Sequence, residues 1–397
     1  MKSLPWVWGS NNSAAWAVYL YLISFSLPLS VDVGLLALFF LGGHAVLTSH
    51  GHFPVTVIVA LGFLASIVAM GTVISVDPQR SLQLSLALLP AAVICLLVSG
   101  CFRQPDINLL YHVLAVFTIA TGGWLLIVAL CHPDDMPEAW IGYSRLTAFR
   151  VPNDVVIFPV FLPFFLVLWR LCPGDNGKWL ALTAILIAMI ITVLYRSRLS
   201  VLVAGITISA FYLGLGERRR LMRILSLALV GVLLIDVLTG LHLVSKLSTL
   251  ATASSRLPLW LAAWQMFLDA PWTGHGVGSF LHSYRIYMQS LPVWVVVDSR
   301  VTPWAHNLYL EILAELGVGG LLAFACFFGF PWRLWKDGMK MQGQKKLLNS
   351  ALMSAFVGFC VGGFLEFSLW RQWVGLTFLL LVGCIAWQNN HNWEERQ

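Results

Sequence analysis

Runs of about 20 consecutive apolar residues recur along the whole chain, and they constrain its fold more than any other feature. Such a run is long enough for a helix to cross a hydrocarbon core of roughly 30 Å. Hydrophobic residues make up 59% of the 397 residues and charged residues only 11%, whereas about a quarter of average residue usage is charged. The sequence therefore predicts an all-α integral membrane protein, for which we expect membrane lipids and no nucleic acid as partners.

About twelve membrane-spanning helices are predicted from the lengths of these runs and from the residues that break them. The spans are placed at approximately 14–29, 33–48, 54–76, 82–100, 109–130, 155–171, 179–195, 199–215, 221–241, 308–331, 348–367 and 373–387. The chain thus divides into nine helices within residues 1–242, one long loop at 243–305, and three helices within 306–397. Gly358 and Gly362 form a pair of small residues four apart, which predicts close helix packing.

The orientation follows from the two short segments with the most basic residues, 217–223 and 333–346. Basic loops favour the cytoplasmic side of a membrane, so we expect both segments there. The long loop between them must then face outward, and an even number of spans places both termini in the cytoplasm.

The cations on the predicted outer side are almost all arginines, with Lys246 as the single lysine. The arginines are Arg80, Arg145, Arg150, Arg196, Arg198, Arg256, Arg285, Arg300 and Arg371. A guanidinium group binds phosphate through a bidentate fork, whereas lysine acts as a point charge. We hypothesise that some of these arginines hold a diphosphate. The alternative is that they contact lipid headgroups or pair with outer acidic residues, which are Asp77, Asp134, Asp135, Glu138, Asp269 and Asp298.

His306 lies where the long loop re-enters an apolar run. His306 or Asn307 is a suitable N-cap for the tenth span, and the positive end of the helix dipole would favour the neutral imidazole. A neutral imidazole can act as a general base. Glu311 and Glu315 enter the membrane on one face of this span, and we expect outer arginines as their partners. The alternative is an interfacial histidine without chemistry, and His275 and His282 remain outer candidates.

The long loop also contains an amphipathic helical pattern at 254–267, with Pro258 near its first turn. Trp260, Trp264 and Phe267 are predicted to share one face that lies at the membrane interface. Glycines then break the helix, and Gly274–Gly278 is interpreted mainly as a turn.

Several motifs, in this order and spacing, resemble the O-antigen ligase and polymerase superfamily. The C-terminal signature of that family is similar to His306-Asn307 followed, after nine intervening residues, by Gly317–Gly320. The other similar elements are Arg198–Leu202 at a span start, a loop series running from Arg256 through Trp260 and Pro271 to Gly274–Phe280, and Arg145-Leu146 followed by Pro152-Asn153.

The resemblance implies a GT-C-like glycosyltransferase that moves a polysaccharide from undecaprenyl diphosphate to a hydroxyl of lipid A–core. It also implies a bacterial inner-membrane protein whose active site faces the periplasm. His306 matches the family's catalytic histidine, and Arg198 and Arg256 match arginines that engage the diphosphate. We expect inversion at the anomeric carbon and no cofactor, since no Asp-x-Asp or histidine-rich metal site stands on the outer side. Further predicted substrate contacts are Arg196, Arg145, Arg150, Asn307 and Tyr309.

Other functions remain open at this point. A polymerase of the same superfamily would use a glycan as acceptor, and a protein O-oligosaccharyltransferase is less expected because the chain ends soon after Trp387. A lipid-linked sugar transporter of a different class should show two similar halves. This chain instead places one long loop after the ninth span, with no counterpart after the third.

Overall fold

The computed structural model describes residues 12–26, 31–48, 53–136, 139, 151–172, 174–239, 251–289, 302–338 and 341–394. All secondary structure in these ranges is helical. The α-helices are α1 (Ser13–Ser26), α2 (Val31–Ala37), α3 (Gly43–Thr48), α4 (Val55–Ile74), α5 (Pro78–Leu86), α6 (Leu89–Cys101), α7 (Gln104–Cys131), α8 (Ile157–Leu171), α9 (Asp175–Leu194), α10 (Arg198–Leu215), α11 (Arg218–Thr239), α12 (Ala251–Asp269), α13 (Phe280–Gln289), α14 (Leu308–Cys326), α15 (Gly329–Gly338), α16 (Gly343–Leu365) and α17 (Gln372–Glu394). A π-helical turn at Leu38–Gly42 joins α2 to α3, and a 3-10 helix at Pro152–Val156 precedes α8.

Eight helical segments of the described ranges are long and apolar enough to cross a membrane, so the chain is a multi-pass membrane protein. They are Val55–Ile74, Pro78–Cys101, Gln104–Cys131, Pro152–Leu171, Asp175–Leu194, Arg198–Leu215, Leu308–Gly338 and Gly343–Leu365. The all-helical prediction is confirmed for these ranges. The other four predicted spans fall on α1, α2–α3, α11 and α17, which are not among the eight, so the count of twelve stays a prediction.

The centre of the bundle is built from α8, α10 and α16, which pack against one another. A Cβ atom added to Gly358 on α16 would collide with the side chain of Thr207 on α10. The absence of a side chain there lets the two helices approach closely, as the small-residue pair predicts. Gly362 instead faces the ring of Phe367, which follows the same helix.

The long loop is fixed to α14 by backbone hydrogen bonds. The N–H groups of His275 and Gly276 donate to the carbonyls of Ala314 and Glu315, at 3.0 and 2.8 Å, and the N–H of Val318 donates to Pro271 at 2.8 Å. These bonds form where α14 is interrupted at Gly317, whose φ is +63°. The interruption leaves helical N–H and C=O groups unpaired within α14, and the loop satisfies them.

The helix of this loop differs from the predicted one. It begins at residue 251 rather than 254, so Pro258 lies inside the helix and not in its first turn. Trp264 is exposed, whereas Trp260 and Phe267 are half-buried. Of the three aromatic side chains, only Trp264 is therefore exposed, and they do not form one exposed face. The buried side of the helix, which includes Met266, packs against α13 and α14.

Candidate active site

The site is built around the turn that begins α14. Asn307 caps this helix, since its Oδ1 accepts hydrogen bonds from the N–H groups of Tyr309 and Leu310, both at 3.1 Å. Of the two residues that the sequence offered as caps, the structure uses Asn307. His306, immediately before the cap, has a left-handed backbone with φ +53°. Few non-glycine residues adopt this conformation, and strained backbones of this kind cluster at functional sites.

The imidazole of His306 faces a carboxylate. Its Nδ1 lies 3.0 Å from Oε1 of Glu366, which is fully buried at the end of α16. The indole Nε1 of Trp304 also lies 3.3 Å from the same nitrogen. An indole N–H can only donate, so the two contacts require opposite tautomers. Oε1 of Glu366 is buried and accepts no hydrogen bond from the other described residues, so a proton on Nδ1 would supply its donor; we therefore assign the ring proton to Nδ1, which leaves Nε2 as the acceptor.

The second oxygen of Glu366 is held by two donors. Nη2 of Arg256 lies 2.8 Å from Oε2, and Nδ2 of Asn153 lies 3.0 Å from it. Glu366 thereby joins the start of α14, the helix α12 of the long loop, the 3-10 helix before α8, and the end of α16. A buried carboxylate is tolerated only with such partners.

A second buried ion pair adjoins the first. The guanidinium of Arg371 pairs with Asp154, and its Nη1 lies 3.9 Å from Oε1 of Glu366. It also lies over the rings of Trp304 and Trp373, at 4.6 and 5.3 Å from their centroids. Nε1 of Trp373 donates to Asp154 at 3.1 Å. The result is one network that contains the guanidinium groups of Arg256 and Arg371, the carboxylates of Glu366 and Asp154, and the imidazole of His306.

The arginines at positions 196 and 198 flank a residue connected to this network. Ser197 donates through Oγ to Oδ1 of Asn153 at 3.2 Å, and the same Oγ accepts from the N–H of Ser200 and caps α10. Arg196 is exposed and left-handed, with φ +50°, whereas Arg198 is half-buried. Their turn is therefore joined through Asn153 to the carboxylate that also holds His306 and Arg256.

The remaining predicted contacts are placed differently. The hydroxyl of Tyr309 donates to the carbonyl of Cys360 at 3.0 Å, and its ring packs against Phe364. Tyr309 is thus engaged in packing between α14 and α16, and its contact with substrate stays a prediction. Arg145 and Arg150 lie outside the described residues. Across the described ranges, no group of three or more His, Cys, Asp or Glu residues is arranged to hold a metal ion.

Among the described residues, no arginine is hydrogen-bonded to Glu311 or Glu315, and Arg80 acts on Glu315 only through a longer-range electrostatic interaction. Glu315 accepts from the backbone N–H groups of Gly278 at 2.8 Å and Phe280 at 2.9 Å, and from the indole N–H of Trp370. Glu311 accepts from the hydroxyl of Ser368. The physical reason is that positive-φ glycines such as Gly278, with φ +68°, let the turn approach α14 and offer its amides to the carboxylate.

Sequence reasoning missed Glu366 and Asp154 and did not assign Arg371 or Trp304 to the site. Glu366 follows an apolar run and is 60 positions from His306, so spacing gave no reason to join them. A usable signal was available, because an acidic residue within a predicted span is costly and must find a partner.

Comparison with known proteins bears on the same region. The sequence model of a family described as "O-Antigen ligase" matches residues 182–325, which include Arg198, Arg256 and His306. The resemblance to the O-antigen ligase family is confirmed. The segment that resembles the O-antigen ligase family does not contain Asn153 or Glu366, so the network extends beyond it.

A curated relative is the teichuronic acid biosynthesis protein TuaE of Bacillus subtilis (strain 168). It is 27% identical over 353 residues, and the alignment covers 82% of this chain and 66% of the relative. The chain therefore spans slightly less than two thirds of that protein's length.

Proposed function

We propose that this protein is a membrane glycosyltransferase that moves a glycan from undecaprenyl diphosphate to an acceptor hydroxyl. Its specific form is an O-antigen ligase whose acceptor is lipid A–core. The proposal is supported by the likeness to the O-antigen ligase family. The observation that carries it is the 3.0 Å contact between Nδ1 of His306 and the buried carboxylate of Glu366, since this contact prepares Nε2 to take a proton.

His306 acts as the general base. Its Nε2 accepts the proton of the acceptor hydroxyl while the hydroxyl oxygen forms a bond to the anomeric carbon of the donor. The bond from that carbon to the diphosphate oxygen breaks, and the electron pair leaves with undecaprenyl diphosphate. Attack from the side opposite the leaving group inverts the anomeric configuration. Glu366 orients the imidazole and stabilises the imidazolium that forms, as a carboxylate does in a hydrolase triad.

The arginines stabilise the leaving diphosphate. In the network, Arg256 and Arg371 contact the two carboxylates, while Arg196 and Arg198 stand on the adjoining turn. Each of the two carboxylates, Glu366 and Asp154, is thus paired with a guanidinium group, and Arg196 and Arg198 add two cationic residues on the adjoining turn. Fixed charges of this kind act most strongly where charge develops during the reaction. Arg256 links the arginines to the base, because its Nη2 lies 2.8 Å from the carboxylate of Glu366, which orients His306.

The proposal also includes the orientation of the protein in the membrane. The segments 217–223 and 333–346 face the cytoplasm, and the site, with the loop at 243–305, faces the periplasm. Both termini are then cytoplasmic, and the protein resides in the bacterial inner membrane.

A polymerase is the second candidate. It is favoured by the relative's name, which refers to the biosynthesis of teichuronic acid rather than to an O-antigen ligase. A polymerase would join one lipid-linked glycan to another with the same base and arginines.

The experiment uses the purified protein in liposomes with an undecaprenyl-diphosphate-linked glycan. One reaction receives lipid A–core and another receives only further lipid-linked glycan. Glycan on lipid A–core identifies the ligase, and lengthened lipid-linked glycan identifies the polymerase. Activity in EDTA should equal activity in magnesium. Absence of transfer in both reactions would overturn the proposed function, and strict dependence on a divalent metal would overturn its mechanism.

A further inference from the structure

A groove opens at the end of the bundle opposite to His306. It lies between the start of α4 and the junction of α14 with α15, and its volume is about 340 Å³. Helix α14 has 19 residues, so its two ends are roughly 28 Å apart at 1.5 Å per residue. This distance is close to the thickness of a hydrocarbon core. Because α14 is interrupted at Gly317, this length is an upper value, and the groove and the candidate active site lie at opposite ends of α14.

The walls of the groove are apolar. Val55, Val59 and Phe63 recur every four residues on α4, and Phe330 of α15 stands on the other side. Gly329 also lines the groove, and a Cβ atom added there would meet nothing within 4 Å. Gly329 is exposed, so the groove is open beside it, and the apolar walls suit a hydrocarbon chain.

The mouth of the groove is positively charged. Arg333 lines it and is exposed, and Lys336, three residues further along α15, is exposed as well. The positive end of α4 also opens there, since its N-cap, Pro54, makes no side-chain hydrogen bond to the first turn. Charge complementarity therefore favours a negatively charged headgroup over a neutral one.

Two tryptophans place this mouth at headgroup depth. Trp332 and Trp335 are 63% and 47% exposed on α15, with ring centroids 5.1 Å apart. Exposed tryptophans concentrate at the interface between hydrocarbon and water. Arg333 lies between them in sequence, at the level of lipid phosphates.

We propose that this groove binds an anionic phospholipid, with one acyl chain along α4 and its phosphate at Arg333. The acyl chain fills apolar space that side chains leave open, and the guanidinium makes charge-assisted hydrogen bonds with the phosphate. A zwitterionic phospholipid has the same chains but no net charge, so it occupies the groove less. The proposal does not depend on the catalytic function of the other face.

Two native cysteines allow a direct test on the full-length protein. Cys326 lines the groove, and both Cys326 and Cys131 are exposed free thiols. The protein is placed in nanodiscs of phosphatidylcholine, with or without phosphatidylglycerol of the same chain length. Alkylation of each thiol by N-ethylmaleimide is then followed by peptide mass mapping. Arg333→Gln removes the charge at the mouth, and Arg223→Gln is the matched control on the other basic segment.

We expect phosphatidylglycerol to slow alkylation of Cys326 about fivefold, the effect of one cation at a lipid surface, and to leave Cys131 unchanged. The protection should disappear in Arg333→Gln and persist in Arg223→Gln. Gly329→Leu, which fills the groove, should protect Cys326 in both lipids. Equal alkylation of Cys326 in the two lipids, or protection that survives Arg333→Gln in a folded protein, would overturn the proposal. Protection by undecaprenyl phosphate but not by phosphatidylglycerol would overturn the choice of lipid.

Discussion

At the residue scale, Glu366 determines how the candidate site is assembled. One of its oxygens lies 3.0 Å from His306, and the other receives Arg256 and Asn153. A buried carboxylate with an imidazole on one side and a guanidinium on the other can couple the base to the leaving-group site. His306 and Arg256 lie close together because both contact the carboxylate of Glu366.

Glu366→Gln tests this coupling. Glutamine keeps the size of the side chain but cannot stabilise an imidazolium, so we expect the transfer rate to fall by about 100-fold, the lower end of the contribution of general acid–base catalysis. Rates are compared in liposomes at equal amounts of folded protein, with the thermal unfolding midpoint as the control for stability. A folded Glu366→Gln protein with an unchanged rate would show that the carboxylate only fills space.

Asn307 gives a second prediction at this scale. Its side chain satisfies two N–H groups at the start of α14, and removal of such a cap costs about 1 kcal/mol. Asn307→Ala should therefore lower the thermal unfolding midpoint, while Asn307→Ser, which keeps a capping oxygen, should lower it less. The idea fails if the two variants unfold at the same temperature.

The site was predictable from sequence where the chemistry is local. His306 and its cap lie in one short stretch, and the arginines are conspicuous among the cations of the predicted outer side. The sequence could indicate that Glu366 needs a partner, but not that its partners are His306 and Asn153, because packing of the helices brings these residues together. Hydropathy identified the helices but carries no information on which helix ends meet.

At the element scale, α14 is the helix that connects the loop to the bundle. The sequence predicts a span at 308–331 and a turn at Gly274–Gly278. The helix runs from Leu308 to Cys326 within a segment that is apolar and long enough to cross a membrane, and the turn occurs as predicted. The interruption at Gly317 was not predicted, because a lone glycine within an apolar run is also compatible with a regular helix. The structure uses it to accept the loop, through the bond from Val318 to Pro271.

Gly317→Ala tests this junction. The residue has φ +63°, and an added Cβ would come within 2.6 Å of the carbonyl carbon of Trp272. With ψ −160°, this backbone conformation is essentially restricted to glycine, and another residue costs roughly 1–3 kcal/mol there before any clash is counted, so the unfolding midpoint should drop. The control is Gly205→Ala on α10, where the added Cβ meets nothing within 4 Å and the midpoint should stay or rise. Equal midpoints for the two variants would contradict the role of the junction.

At the scale of the whole molecule, the chain is a helical bundle with different chemistry at its two ends. The candidate active site lies at the start of α14, and the groove with its basic mouth lies at the end of that helix. Hydropathy was sufficient to predict the helical membrane class. It did not settle how many helices cross the membrane, because α11 and α17 mix apolar with polar residues.

The two ends should face opposite compartments. In a chain with exposed Cys131 and Cys326 replaced by serine, Ile286→Cys on α13 should react with a membrane-impermeant maleimide on intact spheroplasts. Lys336→Cys on α15 should react only after lysis, because its basic segment favours the cytoplasm. Labelling in the reverse order would show that the orientation is wrong.

The central claim is that His306 is the base of a glycosyl transfer, and its removal tests that claim most directly. Glycan transfer from undecaprenyl diphosphate is measured in liposomes for the wild type and for His306→Ala, together with binding of the lipid-linked donor. The account predicts a rate at least about 100-fold lower with donor binding retained, because the arginines remain. A folded His306→Ala protein that transfers glycan at the wild-type rate would contradict it.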